Sequence, residues 1–332
     1  MITILTMIQH DILEEIASEQ PGFSFEVLPP LKGKSIATLF DNVGRLMPYR
    51  PRYVNITTHR SELVYKSVQG GLYERVSERS RPGTVAVAAA IQNRFNIPAV
   101  PHIICSGYSA RETEYALIDL SFLGINNLLL LRGDKAKHEP RFIPDPAGYS
   151  HASELQQQVN TFNDGVMLDG TAFELEEGFK FSYGVAGYPE KHEESPNTDT
   201  DLRWLKHKVD QGASYIVTQL FFDNDKFYRF VAACRDAGIT VPIIPGIKPI
   251  VNLNQLTVLP KTFKVDIPDG LVKMLSHCTD NVQAKEAGVE WAIRQSRDLI
   301  DHGYTHIHYY SHNAAASVVK IVESVFGTSA NG

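Results

Sequence analysis

One unit recurs along this chain: a helical segment closes near a glycine, and an apolar, β-rich run follows within a few residues. It appears at Leu123-Gly124 before residues 127–131, at Gln211-Gly212 before 215–220, at Ala237-Gly238 before 240–244, and at His302-Gly303 before 306–310. Glycine just past a helix supplies the left-handed residue that closes it. The runs are nearly continuous in apolar character, as in parallel strands covered on both faces. Repetition of such a unit predicts α/β architecture with a parallel sheet.

Eight strand candidates emerge, at 23–28, 53–57, 100–105, 127–131, 181–186, 215–220, 241–244 and 306–310, with helical stretches between them. Eight alternating units predict a (β/α)8 barrel rather than a doubly wound sheet. Neither G-x-G-x-x-G nor a P-loop occurs. No linker or low-complexity segment interrupts the pattern, so residues 1–332 read as one domain. Residues 1–19 read as a surface helix: Asp11, Glu14 and Glu15 break the apolar start, unlike a signal peptide. Two segments are longer than a minimal unit. Residues 134–180 hold a helix around 152–162 and a turn-rich stretch, 163–170, expected to form an added hairpin. Residues 252–276 read as a long loop with few helical cues at its start. Long βα loops on a barrel often carry binding function.

Bulk properties narrow the class. The 332 residues are 43% hydrophobic and 21% charged, with a net charge of −6, which leaves no basic footprint for nucleic acid. No run approaches the roughly 18 apolar residues of a membrane span. Cys105, Cys234 and Cys278 are far apart and lack metal spacing, which fits a reducing compartment, so a cytoplasmic location is expected. His306 and His308 alternate on one strand with no carboxylate nearby in sequence. They read as packing or surface residues, and no metal site is expected.

Barrel active sites are built at the C-terminal ends of the strands. Polar residues gather there: Glu26; Thr57-Thr58-His59-Arg60; His102; Arg132-Gly133-Asp134; Tyr188-Pro189-Glu190-Lys191-His192; Gln219; Lys248; and Ser311-His312-Asn313. Singly, most have a plain reading. Arg132 and Asp134 suit a loop salt bridge, His102 and Gln219 suit buried hydrogen bonding, Tyr188 suits packing, and Lys206-His207-Lys208 suits a solvated helix face. Glu26, in Phe25-Glu26-Val27-Leu28-Pro29-Pro30, is either a charge-paired strand-edge residue or a carboxyl kept protonated by burial, able to act as a general acid. A polar group at the expected end of nearly every strand favours an enzyme.

In order and spacing, Phe25-Glu26 with Pro29-Pro30, residues 54–57, Pro101-His102, Leu131-Arg132-Gly133-Asp134, 186–192, 201–212, 219–223 and 245–249 resemble the methylenetetrahydrofolate reductase family. The resemblance covers about residues 20–325 and looks like the short, bacterial-type form. It implies a (β/α)8 barrel with non-covalent FAD and NADH or NADPH as reductant. The implied reaction reduces 5,10-methylenetetrahydrofolate to 5-methyltetrahydrofolate by ping-pong hydride transfer, supplying methyl groups for methionine synthesis. It also implies a homo-oligomer.

By position, Glu26 matches the family's general acid and Asp134 its acidic residue beside flavin and pterin. Gln219 and Gln255 match substrate contacts. Thr57, His102, Arg132, Gly133, Asp134, Ala152, Tyr188, His192, Asp201 and Lys208 match flavin contacts. Ala314 stands where some bacterial relatives have an arginine for the folate tail, leaving Lys248 or His312 as substitutes. Leu259 stands where some place a stacking phenylalanine. Two other readings stay open: a flavin-free barrel lyase or aldolase using Glu26 as acid-base, and a non-catalytic barrel.

Overall fold

A computed structural model describes residues 12–136, 139–311 and 314–327. Its strands are β1 (Gly22–Val27), β2 (Val54–Ile56), β3 (Glu62–Val68), β4 (Leu72–Glu78), β5 (Ala99–Ile104), β6 (Asn127–Leu131), β7 (Ser182–Gly187), β8 (Tyr215–Thr218), β9 (Ile243–Ile244), β10 (Gly246–Ile247) and β11 (His306–Tyr310). All but β3 and β4 form one parallel sheet in the order β10-β11-β1-β2-β5-β6-β7-β8-β9. β9 and β10 are one stretch of chain divided by Pro245, which has no N–H to give a ladder. β9 pairs with β8 and β10 with β11, so this divided seventh strand closes the barrel. The predicted (β/α)8 barrel is the observed fold.

Period-two alternation sorts the side chains. Phe23, Phe25 and Val27 of β1, Val54 and Ile56 of β2, and Ile307 and Tyr309 of β11 join the core between sheet and helices. The residues between them point into the barrel. Tyr53, Val100, Leu129, Tyr215, Val217 and Ile244 form an apolar layer there with Ile12 and Ile16. Of the surface helix expected over residues 1–19, residues 1–11 lie outside the described residues; the described helix, Ile12–Ile16, is a plug, with Ile12 and Ile16 buried against the inner wall. The acidic residues that suggested a surface position occupy its other face, where Glu14 and Glu15 are exposed.

Beside this layer lies a buried polar ladder. Arg52 donates to His306 Nδ1 (3.0 Å), and Ser24 Oγ lies 3.0 Å from His306 Nε2 and 2.9 Å from His308 Nδ1. Arg52 has donors only, so His306 accepts at Nδ1 and donates from Nε2 to Ser24, which donates onward to His308. The rings of Tyr53 and His306 stack at 5.2 Å. The two histidines, expected to serve packing or a surface role, are interior hydrogen-bonding groups.

Two other expectations change. The hairpin expected at 163–170 contracts to a single antiparallel bridge, Val166 with Ala172, because the chain turns back at once to pack Phe173 on Phe162 (4.8 Å). The long hairpin is instead β3–β4, closed by Gln69-Gly70-Gly71 with both glycines at positive φ. The segment 252–276 contains two helices, Gln255–Phe263 and Asp269–Ser276, rather than an open loop. Among the described residues no helix is long and apolar enough to cross a membrane.

Candidate active site

The C-terminal mouth of the barrel holds two linked groups of polar side chains. The first lies on the inner wall. Parallel register sets Glu26 level with Tyr310 and with Asn55. Glu26 is 3% exposed, His102 6% and Lys248 9%, so all three are buried. Burial pulls Lys248 down from the ordinary lysine range, while the neighbouring Glu26 carboxyl pulls it up. Burial, then the Glu26 charge, holds the Tyr310 phenol well above its ordinary value. The Tyr310 hydroxyl donates to the Thr218 carbonyl (2.5 Å), passing over Gly246, where a Cβ would lie 2.5 Å from the tyrosine ring. Ser311 Oγ donates to the Glu26 backbone carbonyl and fixes that residue's main chain.

The second group is basic and lies around the ends of β6 and β7. Arg132 pairs with Glu194, lies over the Phe142 ring at 4.7 Å, and buries an Nε with no partner among the described residues. Tyr188 and His192 rings meet edge to face at 4.7 Å. Burial, then Arg132, holds His192 below the ordinary histidine value, so its ring is neutral near pH 7. Lys208 lies on the helix Thr198–Asp210, yet it turns inward and donates to the Ala186 carbonyl (2.6 Å). Burial brings its pKa down to about 8, against the pull of Asp201. Gln156 Nε2 donates to the Lys208 carbonyl (2.8 Å) and locks that turn in place. Asp201 is committed to the loop: its oxygens accept from the His192 N–H (3.1 Å) and the Ser195 hydroxyl (2.8 Å).

Tyr188 connects the groups. Its phenol is raised by burial and feels Arg132, Asp201 and Asp134, while Tyr310 feels both Glu26 and Tyr188. Asp134 is exposed, and its backbone carbonyl accepts from Ser106 Oγ (2.6 Å). Gly133 between them has φ +80°, and a Cβ there would meet Ser106 Cβ at 2.9 Å. Only glycine fits this backbone comfortably.

The remaining sequence candidates have local duties. Thr57 Oγ1 donates to the Val27 carbonyl (3.2 Å), joining β1 to the end of β2. Gln219 folds its carboxamide oxygen onto the Leu220 N–H (2.9 Å), and Gln255 does so onto the Val251 N–H (2.7 Å). Gln255 begins a helix rather than lying in a loop. Ala152 is the first residue of the helix Ala152–Asn163, whose N-terminus Glu154 caps. Lys206 and His207 follow the solvated-face reading better than Lys208 does: Lys206 pairs with Asp210 and His207 is exposed. His312 lies outside the described residues. Tyr310 escaped the sequence reading, although it completes the inward alternation His306, His308, Tyr310. The mouth position of Lys248 was legible, but not its closeness to Glu26.

The fold and its mouth define a (β/α)8 barrel with a buried carboxyl on the first strand and a basic cradle across the opening. The family model described as "Methylenetetrahydrofolate reductase" matches residues 11–326. The chain belongs to the methylenetetrahydrofolate reductase family. It is 31% identical to the 5,10-methylenetetrahydrofolate reductase of Escherichia coli K12, over 92% of each chain. It is 31% identical to methylenetetrahydrofolate reductase (NADH) 1 of Arabidopsis thaliana, over 91% of this chain and 48% of that one. The fission yeast relative methylenetetrahydrofolate reductase 1 gives 32% over 92% of this chain and 46% of its own. The chain thus spans about half the length of these plant and yeast relatives. A solved Clostridium thermocellum protein, described as binding two copies of 5-methyl-5,6,7,8-tetrahydrofolic acid, shares the fold at TM-score 0.54 and 14% identity, covering 94% of this chain and 99% of that one.

Proposed function

We propose that this chain catalyses the FAD-dependent reduction of 5,10-methylenetetrahydrofolate to 5-methyltetrahydrofolate, with NADH or NADPH as the reductant and in a ping-pong order. The observation that carries this reading is Glu26, a buried carboxyl facing into the mouth, within the matched family region.

The mouth also fits a flavin nucleotide on its own chemistry. Arg132 offers a buried, unused Nε, Lys208 an inward ammonium, and Gly133 a backbone that no Cβ could share. Arg132 and Lys208 suit a pyrophosphate, because charge-assisted hydrogen bonds to anions are the stronger kind. Tyr188 and His192 supply flat ring surface beside them. FAD held there would supply the hydride chemistry that links the nicotinamide to the folate.

The protein supplies position and proton control. Glu26 donates its proton to the folate amine as the five-membered ring opens to the iminium. Asp134, exposed at the mouth, stabilises that cation electrostatically. Gln219 and Gln255 bind the pterin after their amides leave their local hydrogen bonds. Thr57 and His102 hold the wall beside the flavin, Asp201 keeps the His192 loop in place, and Ala152 lines the approach to the cradle. The product feeds methyl groups to methionine synthesis.

The test is the visible absorption of the purified protein. A flavin spectrum that bleaches anaerobically with NADH or NADPH and returns on adding 5,10-methylenetetrahydrofolate is expected. A colourless protein that neither binds FAD nor is stabilised by it would overturn the reading.

A further inference from the structure

Lys248 has no place in the mechanism so far. Its environment also removes it as a holder of the folate tail, since it is 9% exposed and turned into the barrel. The neighbouring Ile247 packs outward with the helices, so alternation sends Lys248 to the inner side. Register places Ile247 beside Tyr309 on β11, and Tyr310 beside Glu26 on β1. Continued by one residue, the same row reads Lys248, Tyr310, Glu26 across three neighbouring strands.

Lys248 is an electrostatic partner of Glu26, and other polar groups approach the acid from the neighbouring elements. From β11, Tyr310 is neutral and its single O–H is committed to Thr218. His308 is drawn to Ser24 on β1 and Asn55 on β2. Tyr188, from the end of β7, is neutral because burial raises it. Ser311 binds the Glu26 main chain, not its carboxyl. His102 stands further round the wall on β5, level with Leu129 of β6.

We propose that Lys248 is a positioning residue for the acid: its buried ammonium, across Tyr310 from Glu26, governs the pH at which Glu26 gives up its proton. This rests on the reading of Glu26 as the acid in folate reduction. Two opposing influences meet at Glu26. Burial favours the neutral acid, whereas a nearby cation favours the carboxylate. With Lys248 in place, the alkaline limit of the folate step lies lower than burial alone would set it. The pair loses one proton in each folate step: Glu26 gives it to the substrate amine, the ammonium steadies the carboxylate left behind, and solvent returns a proton to Glu26 before the next turnover.

The experiment follows the folate half-reaction of reduced holoenzyme against pH in the wild type, Lys248→Met, Lys248→Gln and Lys248→Arg. Methionine and glutamine should each move the alkaline limb upward by about one pH unit, a roughly tenfold gain at a fixed pH above the wild-type limb relative to each protein's own plateau. Arginine should restore the wild-type limb, and the nicotinamide half-reaction should keep its profile. A second readout needs no cofactor: the protonated-carboxyl infrared band that disappears in Glu26→Gln should titrate at higher pH in the methionine or glutamine variant. Unmoved limbs and an unmoved band in whichever of the two folds would overturn the proposal. Normal folate reduction by Glu26→Gln would instead overturn the acid reading, and the infrared titration would still report on the link between the two residues.

Discussion

The Lys208 ammonium donates a 2.6 Å hydrogen bond to the Ala186 carbonyl, tying the helix Thr198–Asp210 to the end of β7. Burial holds this lysine at about 8, well below its ordinary 10.5. The folded-state value is lowered, so between about 8 and 10.5 the unfolded chain binds more protons and folding gains stability as pH rises. Near neutral pH the charged lysine therefore costs stability, on the order of 1–2 kcal/mol after allowance for its remaining contact with water. Lys208→Met without cofactor should melt higher than wild type near neutral pH, and the gap should shrink above about pH 9. An anion beside Lys208 reverses the balance: FAD affinity should fall roughly tenfold or more in the variant, and in the wild type as pH rises past about 8. Thermal melts and flavin titrations check both.

Glu26→Gln preserves shape and removes the proton. The folate half-reaction should drop about 10²–10⁴-fold, the usual range for a general acid, while flavin reduction by the nicotinamide stays within a few-fold. Anaerobic stopped-flow of the two halves separates them. Equal losses in both would place the defect in flavin binding instead.

Gly133→Ala must adopt φ +80° and set a Cβ 2.9 Å from Ser106 Cβ and 3.2 Å from Ile104 Cβ. Strain of this kind costs of order 1–3 kcal/mol. Because Arg132 and Asp134 flank the site of strain, flavin affinity should fall with stability. A variant with unchanged melting temperature and unchanged flavin affinity would show that the turn is not constrained as described.

Inside the barrel, burial holds His306 well below 6.5, with Arg52 adding to the effect. Its folded-state value is lowered, so as pH falls through about 6.5 the unfolded chain takes a proton that the native ring refuses, and stability declines. His306→Gln should flatten the stability profile below that pH, read as urea midpoints. Ser24→Ala leaves both histidines short of a partner and should cost about 1–3 kcal/mol at any pH.

The barrel was legible because its strands are buried on both faces and its helices close on glycine, which leaves a strong local imprint. Glu26 was legible for the opposite reason: a carboxyl among Phe, Val and Leu contradicts its surroundings. The β3–β4 hairpin passed unread although Gly70-Gly71 marks its turn. Its strands are largely exposed, with Tyr65, Leu72 and Tyr73 in solvent, so no buried face stamped a clear hydrophobic alternation on them. The plug at Ile12 and Ile16 was unreadable because what it covers, the inner faces of five strands, comes together only on closure. Lys248 and Glu26 are separated by most of the chain, and only the parallel register through β11 makes them neighbours. The local imprint of Lys208, between His207 and Val209, is that of a solvated helix; the pocket that draws it inward is supplied by β7 and the helix Ala152–Asn163.

The proline that divides the seventh strand has a mechanical consequence. Here two residues hold one neighbour and two hold the other, with Pro245 as the joint; β6, by contrast, holds both neighbours through the same residues, Leu129 and Leu130. Backbone amides along this seam should exchange with solvent earlier than those of β6 or β7, because fewer bonds must open together. Lys248 sits just beyond the joint. When the mouth widens to admit a bulky ligand, the compliant part of the wall is the part that carries the lysine facing the acid.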